Sequence, residues 1–511
     1  MSPPSAPDAT ETADAIEALR DHLGPIMDLR NAAELLSWDQ ETHMPPGGAE
    51  ARARQLSTLQ RLAHERFVSD ETGQRLDAAA DVLSDADPMS TAARLVRVTR
   101  RDYERERKVP SDLVARMSEA VSRAKEAWKS ARGDDDFSTF APHLERIVDL
   151  NVEKAEAIGY EEEAYDALLD EYEPGMTTAE VASTFERLRS DLVPIVDAIA
   201  EADPIDASIL HRTYPTEAQK AFGESVIADL GYDFERGRQD VSEHPFTTSF
   251  STGDVRLTTR YDESYLPSAF YSMLHEAGHG IYEQGVADDL DRTPLADGAS
   301  LGMHESQSRF YENQIGRSRA FWDHYFPKAQ AAFPEALSDA DAETMYRAVN
   351  RVEPSLIRVE ADEVTYNLHV MLRFELERGL VRGDVEVADL PDLWREKMDA
   401  YLGVVPGTDT EGVLQDVHWS LGAIGYFPTY ALGNLMSAQI AEALESDLGP
   451  IDDRVAAGEF EEILGWLRTH VHQHGRTLQA PDLLERITGT GLSADAWLDY
   501  VRSKYGALYN L

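Results

Sequence analysis

Apolar side chains recur every three to four positions through most of the chain, the spacing that lines one face of a helix. Leu19, Leu23, Ile26, Met27, Leu29, Leu35 and Leu36 mark the first such face, which breaks at Met44-Pro45-Pro46-Gly47-Gly48. Further helical faces are predicted over 52–65, 90–108, 111–131, 144–158, 178–200 and 217–230. The period changes after His244. Residues 246–250 and 255–261 are β-prone around Ser251-Thr252-Gly253-Asp254, which predicts a hairpin. Helical spacing then resumes over 306–314, 321–333, 340–352, 362–378, 389–402, 433–445, 460–471 and 494–505. The pattern predicts a mainly α fold with a small β hairpin or sheet. Residues 1–12, rich in Pro and Ala, are expected to be a disordered leader. Residues 13–511 are expected to form one integrated unit, 13–240 its helical N-terminal part and 241–511 its catalytic part.

Directly after the hairpin comes Met273-Leu274-His275-Glu276-Ala277-Gly278-His279-Gly280. On a helix, His275 and His279 lie one turn apart on one face, so both imidazoles can grip a single ion. Glu276 points about 100° round the helix, where a carboxylate can reach a metal-activated water. The competing reading is an exposed helix with two unrelated histidines. The apolar run Leu266, Ala269, Phe270, Met273 and Leu274 favours a buried element instead. Gly278 inside a helix costs up to about 1 kcal/mol against Ala, which predicts a close approach to the backbone there.

Hydrolytic zinc takes three protein ligands and leaves one position open. Glu283, Asp288, Asp289, Asp291, Asp297, His304 and Glu305 are all candidates for the third. Glu305 follows Gly302 at a predicted helix start, from which it can reach the first helix; it can equally be a carboxylate placed by the helix dipole.

Composition narrows the chemistry. The chain has 511 residues and no Cys, which excludes disulfides and thiolate ligands. With 48 basic and 94 acidic residues its net charge is −46, against any nucleic-acid or anionic-membrane partner. The acid is spread along the chain, which points to a salt-rich cytoplasm, hence a halophilic source. No signal-peptide pattern and no run of about 18 apolar residues is present, so a cytoplasmic, membrane-free protein is expected. The His470-x-His472-x-His474 alternation reads as surface or interface.

Six patterns appear in order: His244-Pro245-Phe246, Asp254-x-Arg256-x-Thr258, His275-Glu276-x-x-His279, His304-Glu305-Ser306-Gln307, Ile357-Arg358-x-x-Ala361-Asp362 and Gly412-x-x-Gln415-Asp416-x-His418-Trp419. This set resembles that of the carboxypeptidase Taq family across nearly the whole chain. The resemblance implies a helical, cleft-bearing fold of the neurolysin and angiotensin-converting-enzyme type, with 13–240 as one cleft wall. It also implies a broad-specificity metallocarboxypeptidase acting on peptides, and a homodimer. By that resemblance His275, His279 and Glu305 are ligands of one divalent ion, zinc, with cobalt or manganese as alternatives, and Glu276 is the general base. His418 and Tyr426 are candidates for stabilising the oxyanion, with Tyr430 in reserve. Arg358 is the candidate for the substrate α-carboxylate, with Arg256 second, and Gln415 and His244 are expected to line the same pocket. The alternatives are an oligopeptidase cutting internal bonds and an acidic helical binding protein with a vestigial motif.

Overall fold

The first helix, α1, runs Ala9–Thr42 in the computed structural model, so residues 9–12 of the expected leader belong to its opening turns. The structure describes residues 9–511; the rest of the expected leader, 1–8, lies outside them. Helices account for 71% of the chain, and a three-stranded sheet stands beside the candidate site. Several helix ends carry their own signals. Thr177 and Glu180 form a reciprocal capping box, so the helix Thr178–Ala200 begins where the periodicity begins.

The sheet has the order β1-β3-β2, with β1 Gly237–Val241, β2 Thr247–Ser251 and β3 Asp254–Thr259. β2 and β3 form the expected antiparallel hairpin. β1 pairs parallel with β3 and was not anticipated, because Gly-Arg-Gln-Asp-Val shows no apolar alternation. The register sets the two faces of the hairpin. Thr247 opposes Leu257 and Ser249 opposes Val255 on the face toward the metal-motif helix. Thr248 opposes Arg256 on the other face, where the Arg256 guanidinium lies 4.3 Å from the Trp38 ring of α1.

That helix, α2, spans Leu266–Gly285. A second, α3, spans Leu301–Arg309 and runs on into a π-helical turn, Phe310–Ile315. Two more complete the frame: α4, Tyr366–Arg382, and α5, Pro428–Leu448. Glycines set their spacing. A Cβ on Gly278 would lie 2.6 Å from the Gln307 carbonyl oxygen and the Ser308 Cα, so α2 and α3 touch backbone to backbone there, as the sequence predicts. On the other side of α3, a Cβ on Gly433 of α5 would lie 2.4 Å from Glu305 Cγ. Glu305 is thus clamped between two helices.

The main hydrophobic core surrounds these helices, and a smaller one joins Leu19, Leu23 and Ile26 of α1 to Val286, Leu290 and Leu295. Among the described residues no helix is long and apolar enough to cross a membrane.

Candidate metal centre

The imidazoles of His275 and His279 stand one turn apart on α2 and lean toward the same oxygen. Glu305 Oε2 is 3.6 Å from His275 Nε2 and 3.5 Å from His279 Nε2. Those separations are long for hydrogen bonds. Two donors each about 2.1 Å from a shared ion at the tetrahedral angle stand about 3.4 Å apart, so the spacing fits the edges of a four-coordinate site. One donor atom from each of the three side chains lies within 4.8 Å of the others, and among the described residues these three form the group that could hold a metal ion. Asp288, Asp289, Asp291 and Asp297 stand outside it. Glu283 and His304, also candidates, stand directly behind it.

Each ring's other nitrogen is occupied, which turns both Nε2 lone pairs inward. His275 Nδ1 bonds Glu312 Oε2 at 2.9 Å. His279 Nδ1 bonds His304 Nδ1 at 2.5 Å, and His304 Nε2 bonds Glu283 Oε1 at 2.6 Å. Ser249 Oγ on β2 closes that line by donating to Glu283 Oε2 at 3.2 Å. Arg309 donates to Glu305 Oε1 at 2.7 Å and to Glu312 Oε2 at 3.2 Å. Partners behind the ligands fix ring orientation and donor basicity.

Burial alone would raise the Glu305 carboxyl, but the Arg309 guanidinium and the two imidazoles outweigh it and hold the group well below the usual carboxylate range. Glu312 falls to about 2, where Arg309 and His275 likewise outweigh burial. Burial and the neighbouring His304 press His279 down to about 3, keeping that ring neutral. A metal needs an ionised carboxylate beside neutral imidazoles. Glu305 and His279 are in that state, whereas at His275 burial is outweighed by the carboxylates of Glu305 and Glu312, which raise the ring above its ordinary value.

Glu276 is buried, and burial raises its carboxyl above the ordinary value, as a base working near neutrality requires. Thr247 Oγ1 donates to Glu276 Oε2 at 2.7 Å and lies 2.9 Å from the Glu276 carbonyl oxygen. Among the described residues no hydrogen bond reaches Oε1. Sequence reasoning missed Thr247, although it directly follows His244-Pro245-Phe246.

A second cluster adjoins the first. His418 Nε2 bonds the Tyr430 hydroxyl at 3.1 Å, and the His418 and Tyr426 rings are 5.4 Å apart. Burial, then the charge of Arg358, lowers His418 to about 4. The Tyr366 ring links the clusters, with the Arg309 guanidinium 4.5 Å and the Arg358 guanidinium 5.8 Å from its centre. Arg358 is itself buried and bonded: Nε and Nη2 reach Asp416 Oδ1 at 3.1 and 2.8 Å, and Nη1 reaches the Tyr366 hydroxyl at 2.9 Å. Arg373 takes Asp416 Oδ2 at 2.7 Å. Two guanidiniums thus share one carboxylate, leaving a net positive charge.

The remaining sequence candidates have other partners. Gln415 accepts from the Arg358 amide and from Arg373, and donates to the carbonyls of Leu356 and Glu411, so its amide is fully used within the frame. Arg256 grips Asp254 through two bonds of 2.8 Å on the sheet face turned toward α1. His244 is exposed at the turn before β2, where its carbonyl accepts from Ser242. The histidine alternation, read as surface or interface, is corrected at its centre, which lies in the interior of the chain. His472 has no exposed surface and bonds Gln307 at 2.9 Å, in space left by Gly285, where a Cβ would lie 2.6 Å from His472 Cβ.

The sequence matches the family described as Carboxypeptidase Taq (M32) metallopeptidase over residues 18–505. It is 45% identical to Thermostable carboxypeptidase 1 of Thermus thermophilus over 492 residues, which covers 94% of this chain and 96% of the relative. Carboxypeptidase 1 of Bacillus subtilis is 40% identical, with 96% and 98% covered. Among solved structures, the M32 carboxypeptidase from Deinococcus radiodurans superposes with a TM-score of 0.95 at 44% identity, covering 98% of this chain and 100% of that one. Trypanosoma cruzi metallocarboxypeptidase 1 gives 0.92 at 33% identity, with 96% and 99% covered.

Proposed function

The chain belongs to the carboxypeptidase Taq (M32) metallopeptidase family and is a metal-dependent carboxypeptidase; from that premise we propose that His275, His279 and Glu305 hold one zinc ion and that Glu276 is the general base. The single observation that carries this is the shared Glu305 oxygen, nearly equidistant from two inward-turned imidazole nitrogens. Nitrogen and oxygen donors also accept cobalt or manganese, and zinc is preferred for its fit to a four-coordinate set.

A divalent ion in this set supplies Lewis-acid polarisation and a strong oxygen nucleophile near neutral pH. The chain's own residues do the proton work. Glu276 Oε1, left free while Thr247 holds Oε2, takes a proton as the water oxygen bonds the scissile carbonyl carbon. It then passes that proton to the departing amine nitrogen as the C–N bond breaks. The products are a shortened peptide and a free amino acid. The Tyr426 hydroxyl donates to the oxyanion that forms between these steps, and neutral His418 supports the tyrosine pair. The α-carboxylate of the substrate goes to Arg358. Its cluster retains one uncompensated positive charge in a strongly acidic protein, and two of its five N–H groups are unused.

Glu276→Gln is expected to bind the metal at one per chain and lose about 10²–10⁴-fold in kcat. Turnover at the wild-type rate would remove Glu276 from its role. C-terminal amidation of a peptide substrate should abolish cleavage by removing the charge Arg358 holds. Efficient cleavage of the amide would refute that assignment. The homodimer implied by the resemblance is also proposed, with sedimentation as its test.

A further inference from the structure

Glu377 projects from α4 with no exposed surface, and three donors converge on its carboxylate. Trp419 Nε1 donates to Oε1 at 2.8 Å, while the Gly425 amide and the Tyr165 hydroxyl donate to Oε2 at 3.0 and 2.7 Å. Trp419 directly follows His418, and Gly425 directly precedes Tyr426. Tyr426, assigned to the oxyanion, and His418, which supports it, therefore flank the two ends of one loop, and a single buried carboxylate holds both ends.

The loop needs such a tie. Gly422 and Gly425 have φ of +73° and +94°, so the chain reverses through two left-handed residues. The His418 end closes on itself, with the Ala423 amide bonding the His418 carbonyl at 3.1 Å. The Tyr426 end is fixed differently. Among the described residues the Gly425 amide has Glu377 as its acceptor, and a Cβ on Gly425 would lie 2.9 Å from the Leu168 carbonyl carbon. Burying a carboxylate is costly unless its oxygens are well satisfied, so a site that needed only packing would be served by an apolar side chain.

We propose that Glu377 is the positioning residue of the His418–Tyr426 loop: it fixes the loop's span and so sets where the imidazole and the phenol stand over the substrate. The proposal rests on the assignment of Tyr426 to the oxyanion with His418 as its support; Glu377 itself touches no substrate. In Glu377→Gln the amide keeps one acceptor and gains one donor. Whichever way it turns, its NH₂ faces either the Trp419 N–H or the Gly425 N–H, and one end of the loop loses its tie. A misplacement of about 1 Å at a reacting group can cost about 100-fold in rate.

The test compares three variants of the full, metal-loaded enzyme. Glu377→Gln is expected to lose about tenfold to 100-fold in kcat, with KM within about twofold and metal content unchanged. Its crystal structure should show residues 418–426 displaced while His275, His279 and Glu305 stay in place. Trp419→Phe, which removes the Trp419 arm of the same bridge, should also lower kcat, and combining the two should add little, since a bridge already broken at one end no longer sets the loop's span. Tyr165→Phe removes a donor outside the loop and should lower Tm without lowering kcat.

An unmoved loop with wild-type kcat in Glu377→Gln overturns the proposal. So does a Tyr165→Phe enzyme whose kcat falls as far, because that would make Glu377 a fold support only. If Glu377→Gln does not fold, Trp419→Phe decides on the same two readouts. Tyr426→Phe separates the layers: wild-type kcat there overturns the assignment the proposal rests on. Impaired turnover there beside unimpaired Glu377→Gln overturns the proposal alone.

Discussion

The ligand cluster and the tyrosine cluster stand side by side but are held in different ways. His275 and His279 share one helix, Glu305 stands on the next, and Arg309, which steadies Glu305, is one turn along. The supports of the second cluster come from far away in sequence. Asp416 and Arg358 are 58 positions apart, Glu377 and Gly425 48, and Glu377 and Tyr165 212. A helix fixes its own side chains to within a fraction of an ångström, whereas a loop must be tied from outside. The first arrangement suits an ion, where donor spacing is decisive, and the proposed role of the second suits a substrate that has to enter and leave.

The strongest way to break this contrast is at the ligands. His279→Ala is expected to lose its metal and fall to background turnover, because one missing donor leaves two ligands where three are needed. Metal analysis on protein purified without added ion checks it. Full occupancy would take His279 out of the ligand set. The tyrosine cluster should behave oppositely, its variants keeping the metal and losing rate.

Legibility in the sequence follows the same division. His275, Glu276 and His279 were readable because i,i+4 spacing is a property of the helix itself, and Gly278 because a glycine inside a helix needs a reason. From spacing alone Glu305 remained one of seven candidates for a physical reason: His304 and Glu283 really do belong to the network, one and two bonds behind His279. Nothing local separates a carboxylate that meets an ion from one that meets an imidazole. Thr247, Glu377 and the burial of His472 were not legible, since each depends on which distant segment packs there. β1 was missed because its side chains carry no alternation, and the expected helix 306–314 splits at Arg309 into α and π turns.

A smaller effect sharpens the contrast where the sheet meets α2. Thr247→Val keeps the shape and removes the donor to Glu276 Oε2. We expect kcat to fall roughly tenfold with KM nearly unchanged. The Thr247 hydrogen bond favours the charged carboxylate, so its loss raises the Glu276 pKa. Since the base must be deprotonated to act, the acid limb of the pH profile of kcat/KM should move to higher pH. A rate loss with an unmoved limb would mean that Thr247 aligns Glu276 without tuning it.

The smallest effect is one of stability, at a place where the helix that carries Glu305 leans on a distant segment. Glu173 is fully buried against the start of α3; its Oε1 accepts from the Gly302 amide at 2.5 Å, and among the described residues no hydrogen bond of normal geometry reaches its Oε2, with the nearby Ser300 hydroxyl only partly offsetting burial. Burial pushes its carboxyl up to about 8, from 4.5 for an ordinary glutamate. Between those values the folded protein keeps a proton that the unfolded chain has released, so stability contributed by this site falls as pH rises from about 4.5 to about 8. Glu173→Gln retains an acceptor for the Gly302 amide and has no proton to lose. It should therefore match the wild type near pH 4.5 and exceed it by on the order of 1–3 kcal/mol at pH 8.5, read by urea unfolding at each pH. The global self-repulsion of an acidic surface changes both proteins alike and drops out of the difference. Parallel curves across the window would mean that Glu173 is ionised in place at no cost, with a donor meeting Oε2, and that the start of α3 is held by charge and not by a neutral hydrogen bond.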